Sequence, residues 1–145
     1  MTAKGPIFER SLSIPVLEGA RMTPYSYRGL ATDPGSGAFL LSMLDNSAKE
    51  RVLWFYGTLA KGFLRSGVLP FPDRGCYPYL TLHSGRAAVL AVQDIIEPNE
   101  DWKKLKFSAT GINWDYVFRR LYLTTCGDIR KDDFNKWLDA RRVVK

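Results

Sequence analysis

Histidine and cysteine are nearly missing from this sequence, and each shortage removes a class of function. Of 145 residues one is His and two are Cys. Cys76 and Cys126 lie far apart, so they and His83 cannot by themselves close a structural zinc site. Both cysteines read as reduced core or strand residues, which favours a cytosolic compartment over a disulfide. No apolar run approaches the ~18 residues of a membrane span. The start, MTAKGPIFER, lacks the apolar stretch of a signal peptide, so export is not expected. Gly35-Ser-Gly37 has neither the Lys nor the following Ser or Thr of a phosphate loop, and reads as a flexible helix entrance. No cofactor motif stands out. Repeats and low-complexity stretches are absent as well.

What is present is ordinary globular material with a basic excess. Hydrophobic residues make up 46% and charged residues 25% of the chain, enough for one folded domain with one core. The division expected is a short tail over residues 1–6 and a single domain over 7–145. The net charge is +6, which favours anionic partners or simply keeps the protein soluble. That charge is spread out: nine basic and six acidic residues precede position 75, and twelve and nine follow. A dedicated nucleic-acid helix would be more concentrated. Aromatics, at 13%, serve cores and interfaces equally well.

Hydrophobic periodicity suggests the elements. Phe8–Leu17 alternates and carries Pro15, as an edge strand would. Met22–Leu30 reads as a second extended piece, and Thr32–Gly37 as a turn. Ala38–Leu44 reads as a short helix. Ser47 and Glu50 have the spacing of a capping box at the head of a longer helix ending at Gly67. In that helix Val52, Tyr56, Leu59 and Phe63 form one stripe, widened by Leu53, Ala60 and Leu64. Tyr77–His83 and Ala87–Ile96 read as strands around a Ser84-Gly85-Arg86 turn. Leu105–Ile112 and Tyr116–Thr125 read as another strand pair, and Asp128–Arg142 as a closing helix. The fold class expected is α+β: an antiparallel sheet with two to three helices packed on one face.

Catalysis finds little support. His83 sits inside an expected strand, with Thr81 and Ser84 for neighbours and no carboxylate to orient it. The acidic groups Glu97, Glu100 and Asp101, and Asp128, Asp132 and Asp133, fall in turns or helix starts, where the helix dipole favours acids. No enzyme and no small-molecule substrate are expected. Two features suit macromolecular partners instead. Trp102-Lys-Lys-Leu-Lys-Phe107 and Phe118-Arg-Arg-Leu-Tyr122 combine charge with aromatic faces, as RNA binders do, although Arg119 and Arg120 would point to opposite sides of a strand. Val68-Leu-Pro-Phe-Pro72 is apolar, yet its prolines deny it regular structure. Left exposed, it would mark a contact surface.

The order of these features resembles the matrix proteins of rhabdoviruses, over roughly Leu12 to Phe134. The early strand is followed by the turn and helix at Gly37–Leu44. Next comes Trp54-Phe-Tyr-Gly-Thr-Leu-Ala-Lys-Gly-Phe-Leu-Arg-Ser-Gly67, similar to a helix of the vesiculovirus protein. After the apolar loop, Tyr79-Leu-Thr-Leu-His-Ser-Gly-Arg-Ala87 is similar to a strand and turn in that family, and Pro98–Phe107 supplies the aromatic and basic cluster. The resemblance implies a protein that self-associates, binds the viral nucleocapsid and the anionic inner face of the membrane, and drives assembly and budding. It would be found in the virion and the host cytoplasm. It implies a self-association or membrane role for Val68, Leu69, Pro70 and Phe71. The basic surface would comprise Lys61, Arg65, Arg74, Lys103, Lys104, Lys106, Arg119, Arg120, Arg141 and Arg142, joined at the membrane by Lys4, Arg10 and Lys145. Tyr77-Pro-Tyr-Leu80 is similar to a Tyr-Pro-x-Leu budding signal, while the long basic arm and Pro-Pro-x-Tyr of the family do not occur. A small RNA-binding or regulatory protein of phage or bacterial origin is the alternative.

Overall fold

Two dense apolar runs, Ala38–Leu44 and Val52–Tyr56, are both strands. The structure, a computed structural model, describes residues 12–15, 17–22, 28–47, 51–72, 75–93, 95–112, 116–117, 120–136 and 138–139. Strands β1 (Arg28–Asp33), β2 (Ala38–Asp45), β3 (Arg51–Thr58) and β4 (Gly62–Val68) form an antiparallel meander in the order β1-β2-β3-β4. Strands β5 (Gly75–His83) and β6 (Arg86–Gln93) make a hairpin, and the chain continues into β7 (Ile95–Ile96), helix α1 (Glu100–Thr110) and β8 (Tyr116–Val117). It returns as β9 (Leu121–Cys126) and β10 (Leu138–Asp139), giving a second antiparallel sheet, β10-β9-β6-β5. β7 and β8 pair as a small ribbon of their own, so α1 sits at the tip of a long hairpin arm.

The core lies between the two sheets. Leu40, Leu44, Val52, Trp54 and Tyr56 of the first face Leu80, Leu82, Ala87, Val89 and Cys126 of the second. Leu69, Ile129 and Phe134 close one flank, with the Phe134 ring edge-on to Trp54 at 5.6 Å. The sheets pack tightly where β1 meets β5, at Gly29: a Cβ there would collide with Leu80 Cδ1 and lie 2.7 Å from the Pro78 carbonyl oxygen. The other face of the first sheet is covered too. Met43, Leu53 and Phe55 pack with Leu41 and Phe63 beneath Ile14, Leu17, Ala20 and Met22. A sheet buried on both faces has no polar alternation to display, and this is why β2 and β3 read as continuous apolar runs.

Asp45 ties that covering segment down. Its carboxylate is fully buried and accepts hydrogen bonds from the Arg21 amide (2.7 Å), the Ser47 amide (3.0 Å) and hydroxyl (2.9 Å), and Arg51 Nε (2.8 Å). Burial alone would raise its pKa, but these four donors more than offset it and hold the group at about 2.

The α+β expectation is therefore wrong. Among the described residues the fold is mostly β, with one short helix that packs on neither sheet. The region expected as a helix over residues 47–66 is the β3–β4 hairpin, turned at Gly62 with φ 76°. Ala38–Leu44 is β2. The 128–142 segment, expected as the closing helix, is a turn followed by irregular chain and β10 as far as it is described. Leu105–Ile112, expected as a strand, belongs to α1 and its C-terminal cap. The β5–β6 hairpin agrees with the sequence reading, its turn being Ser84-Gly85 with φ of 49° and 83°.

Candidate binding surface

The Val68–Phe71 loop is not a free apolar surface. Val68 is exposed and Pro70 half-buried, but Leu69 is 2% exposed and belongs to the core between the sheets. Phe71 packs against the same core and stacks on Tyr122 at 5.5 Å. The loop folds back because β4 ends beside the flank of the core, and the Leu69 amide bonds to the Val52 carbonyl at 2.8 Å.

Among the described residues, the basic side chains picked out from the sequence are spread over separate elements. Arg65 lies over the Trp54 ring, with its guanidinium 5.6 Å from the ring centroid. It donates to the Ile129 and Asp132 carbonyls and to Asp133 Oδ1, at 2.8, 2.6 and 2.9 Å, so it staples the 129–133 segment to β4. Lys61 is exposed in the β3–β4 turn, far in sequence from Arg120, exposed at the start of β9. Lys103 pairs with Glu100 at 2.8 Å and Lys104 with Asp101 at 3.9 Å, both on α1, where Lys106 is exposed. Lys4, Arg10, Arg74, Arg119, Arg141, Arg142 and Lys145 lie outside the described residues. In Tyr77-Pro-Tyr-Leu80 the side chains alternate along β5: Tyr77 and Tyr79 are exposed, while Pro78 and Leu80 are buried. The four do not share a surface.

His83 shows what its strand position allows. Its Nε2 is 3.5 Å from Ser84 Oγ, the next residue, and among the described residues no carboxylate is hydrogen-bonded to its ring. The nearby Asp33 serves the turns instead. Its Oδ2 accepts from the Ser36 hydroxyl (2.8 Å) and the Ser84 amide (3.1 Å), joining the β1–β2 turn to the β5–β6 turn. The Ser36 bond keeps its pKa below the usual carboxylate value. No group of three His, Cys, Asp or Glu side chains among the described residues is placed to hold a metal ion.

Helix α1 is the feature that the sequence reading missed. Asn99 caps it, its Oδ1 accepting from the Asp101 and Trp102 amides at 3.1 Å each. Glu100 and Asp101 occupy the first turn, and Gly111, at φ 72°, ends the helix by donating to the Phe107 carbonyl. None of its residues is buried. Trp102, Leu105 and Ala109 follow an i, i+3, i+7 spacing and so share one side; Trp102 is 57% and Leu105 70% exposed, with Ile112 exposed just beyond the cap. Phe107, also exposed, points to the other side. A second apolar surface covers the outer face of the second sheet, where Tyr79, Leu90 and Leu123 align across three strands beside Val92 and Leu121. Of these Tyr79 and Leu121 are exposed.

Comparison of the chain with protein-family models, with characterised proteins and with solved structures finds no match.

Proposed function

We propose that this chain is a non-enzymatic assembly protein that binds macromolecules, its own copies first, through the apolar side of α1. The observation that carries the reading is the exposure of Trp102 and Leu105 on a well-capped helix none of whose residues is buried. An 11-residue helix gains little from propensity alone and ordinarily relies on an apolar face buried by tertiary packing. Here Trp102 and Leu105 of that face remain more than half exposed, as apolar surfaces that meet a partner are. A viral matrix-type coat, binding nucleocapsid and anionic lipid at the inner membrane face, is the specific form of this reading that the +6 charge favours. Support for that form now comes from charge and the open helix. The helical match over residues 54–67 no longer contributes, since those residues are β3 and β4.

Sedimentation velocity on the wild type and on a Trp102→Ser, Leu105→Ser double variant tests the proposal. The wild type should assemble as concentration rises, and the variant should remain monomeric with an unchanged melting temperature. A wild type that stays monomeric at every concentration and salt, or a variant that assembles equally well, would count against it. RNA binding that falls steeply with salt while no assembly occurs would favour the small RNA-binding alternative.

A further inference from the structure

The β5–β6 hairpin ends in a concavity that the assembly reading does not use. Ser84 and Gly85 both adopt positive φ, a two-residue turn that sets His83 directly opposite Arg86. Both side chains stand on the outer face of the second sheet. In the next row Ala88 lies between Thr81 on β5 and Thr125 on β9. Ala88 is too small to fill its place, and Gly127 has no side chain to close the end. The result is an open groove of about 420 Å³, lined by Thr81, His83, Arg86, Ala88, Thr125 and Asn135 around that floor.

The walls are preset. The Asn135 amide N–H donates to the Thr125 carbonyl at 2.8 Å, its Nδ2 to Thr125 Oγ1 at 3.4 Å, and its own carbonyl accepts from Thr124 Oγ1 at 2.6 Å. The groove's own lining carries a guanidinium, Arg86, and no carboxylate among the described residues. Arg86 has no hydrogen bond or ion pair among the described residues, whereas the acids on either side are engaged. Asp128 is bound by Arg130 at 2.6 and 3.0 Å, and Asp33 by Ser36 and the Ser84 amide. Arg130 and Asp128 also press on the turn, since a Cβ on Gly85 would lie 3.0 Å from each.

We propose that this groove binds a phosphate monoester, with Arg86 as its principal anchor and His83, Thr81, Thr125 and Asn135 as flanking polar partners. A planar guanidinium engages oxyanions through two parallel hydrogen bonds. Donor-bearing groups arranged on several sides suit a tetrahedral group with three terminal oxygens better than a two-oxygen carboxylate. A bare phosphate would leave most of the volume empty, and the groove falls within the ~300–1,000 Å³ range of small-ligand sites. The monoester is therefore carried on a larger body that lies over Ala88. A free nucleotide and the phosphorylated end of an oligonucleotide offer the same chemistry.

Amide-resolved NMR titration separates these cases. The probes are inorganic phosphate, a nucleoside 5′-monophosphate, the corresponding nucleoside, and a short oligonucleotide with and without a 5′-phosphate. The monophosphate should shift amides of residues 81–88, 125–127 and 135, the nucleoside should not, and Arg86→Gln should weaken binding at least tenfold at an unchanged melting temperature. Tighter binding of the phosphorylated oligonucleotide than of the monophosphate assigns the site to nucleic-acid ends; the reverse assigns it to a free nucleotide-sized ligand. Equal binding of nucleoside and monophosphate, undiminished binding by Arg86→Gln, or no shift with any phosphate overturns the proposal. Running the titration on the Trp102→Ser, Leu105→Ser variant keeps this result separate from assembly.

Discussion

Asp45 and Leu69 are side chains whose surroundings reverse what their types suggest. A buried carboxylate ordinarily becomes easier to protonate, but Asp45, with four hydrogen bonds on its two oxygens, is held at about 2 against an ordinary value of 3.8. Because the folded value is the lower one, its contribution is complete above about pH 4 and is lost as pH falls through about 2. That difference corresponds to about 2 kcal/mol. Asp45→Asn should therefore lower the urea-derived unfolding free energy at neutral pH by about that amount and flatten the stability profile between about pH 4 and pH 2. An unchanged acid limb would show that the carboxylate is not charged in the fold. Leu69, which the sequence suggested was a surface anchor, should behave as core. Leu69→Ala should cost about 2–5 kcal/mol, while the exposed Val68→Ser should cost about 0.5 kcal/mol or less. Equal small losses at both positions in denaturant titrations would return the loop to the surface.

At the scale of elements, the packing of β1 against β5 depends on Gly29. Its amide donates to Ser42 Oγ at 3.0 Å, and no room exists for a methyl group between it and Leu80. Gly29→Ala should cost about 1–3 kcal/mol through forced separation of the strands, measurable as a lower denaturant midpoint with an unchanged slope. Much of the second sheet was legible in the sequence, because one of its faces is open to solvent. Thr81 and His83 alternate with Leu80 and Leu82, and Ser84-Gly85 carries turn chemistry. The first sheet was not legible in the same way. Val52-Leu-Trp-Phe-Tyr56 is buried on both faces, so any period fits it, and a helical stripe could be drawn through residues that in fact alternate between two cores. Aromatic content and the glycines at 57 and 62 were the better guide: a helix would tolerate them at a cost, whereas a tight hairpin needs Gly62 at positive φ. Helix α1 failed in the opposite sense. Its apolar residues are few and unburied, so its real signature lay in its ends, Asn99 before two acids and Gly111 after the last turn. The groove at Arg86 had no sequence signal beyond a hairpin, since it depends on Asn135 arriving from the distant 132–136 segment.

For the whole molecule, the apolar side of α1 and the +6 charge act on partners with opposite dependence on salt. Two copies approaching through Trp102 and Leu105 bring like net charges together. Shortening the screening length from about 30 Å at ~0.01 M to about 8 Å at ~0.15 M weakens that repulsion and leaves the apolar contact almost untouched. Self-association should therefore strengthen as salt is raised. Binding to an anionic lipid surface or to nucleic acid draws on the same charges as an attraction, and should weaken over the same range. Light scattering of the protein alone, alongside flotation with vesicles containing acidic lipid, reads both trends from one preparation. If self-association instead faded with salt, the copies would be held by ion pairs and α1 would not be the contact. Vesicle binding that did not change with salt would mean that the positive charge plays no part in holding the protein at the membrane.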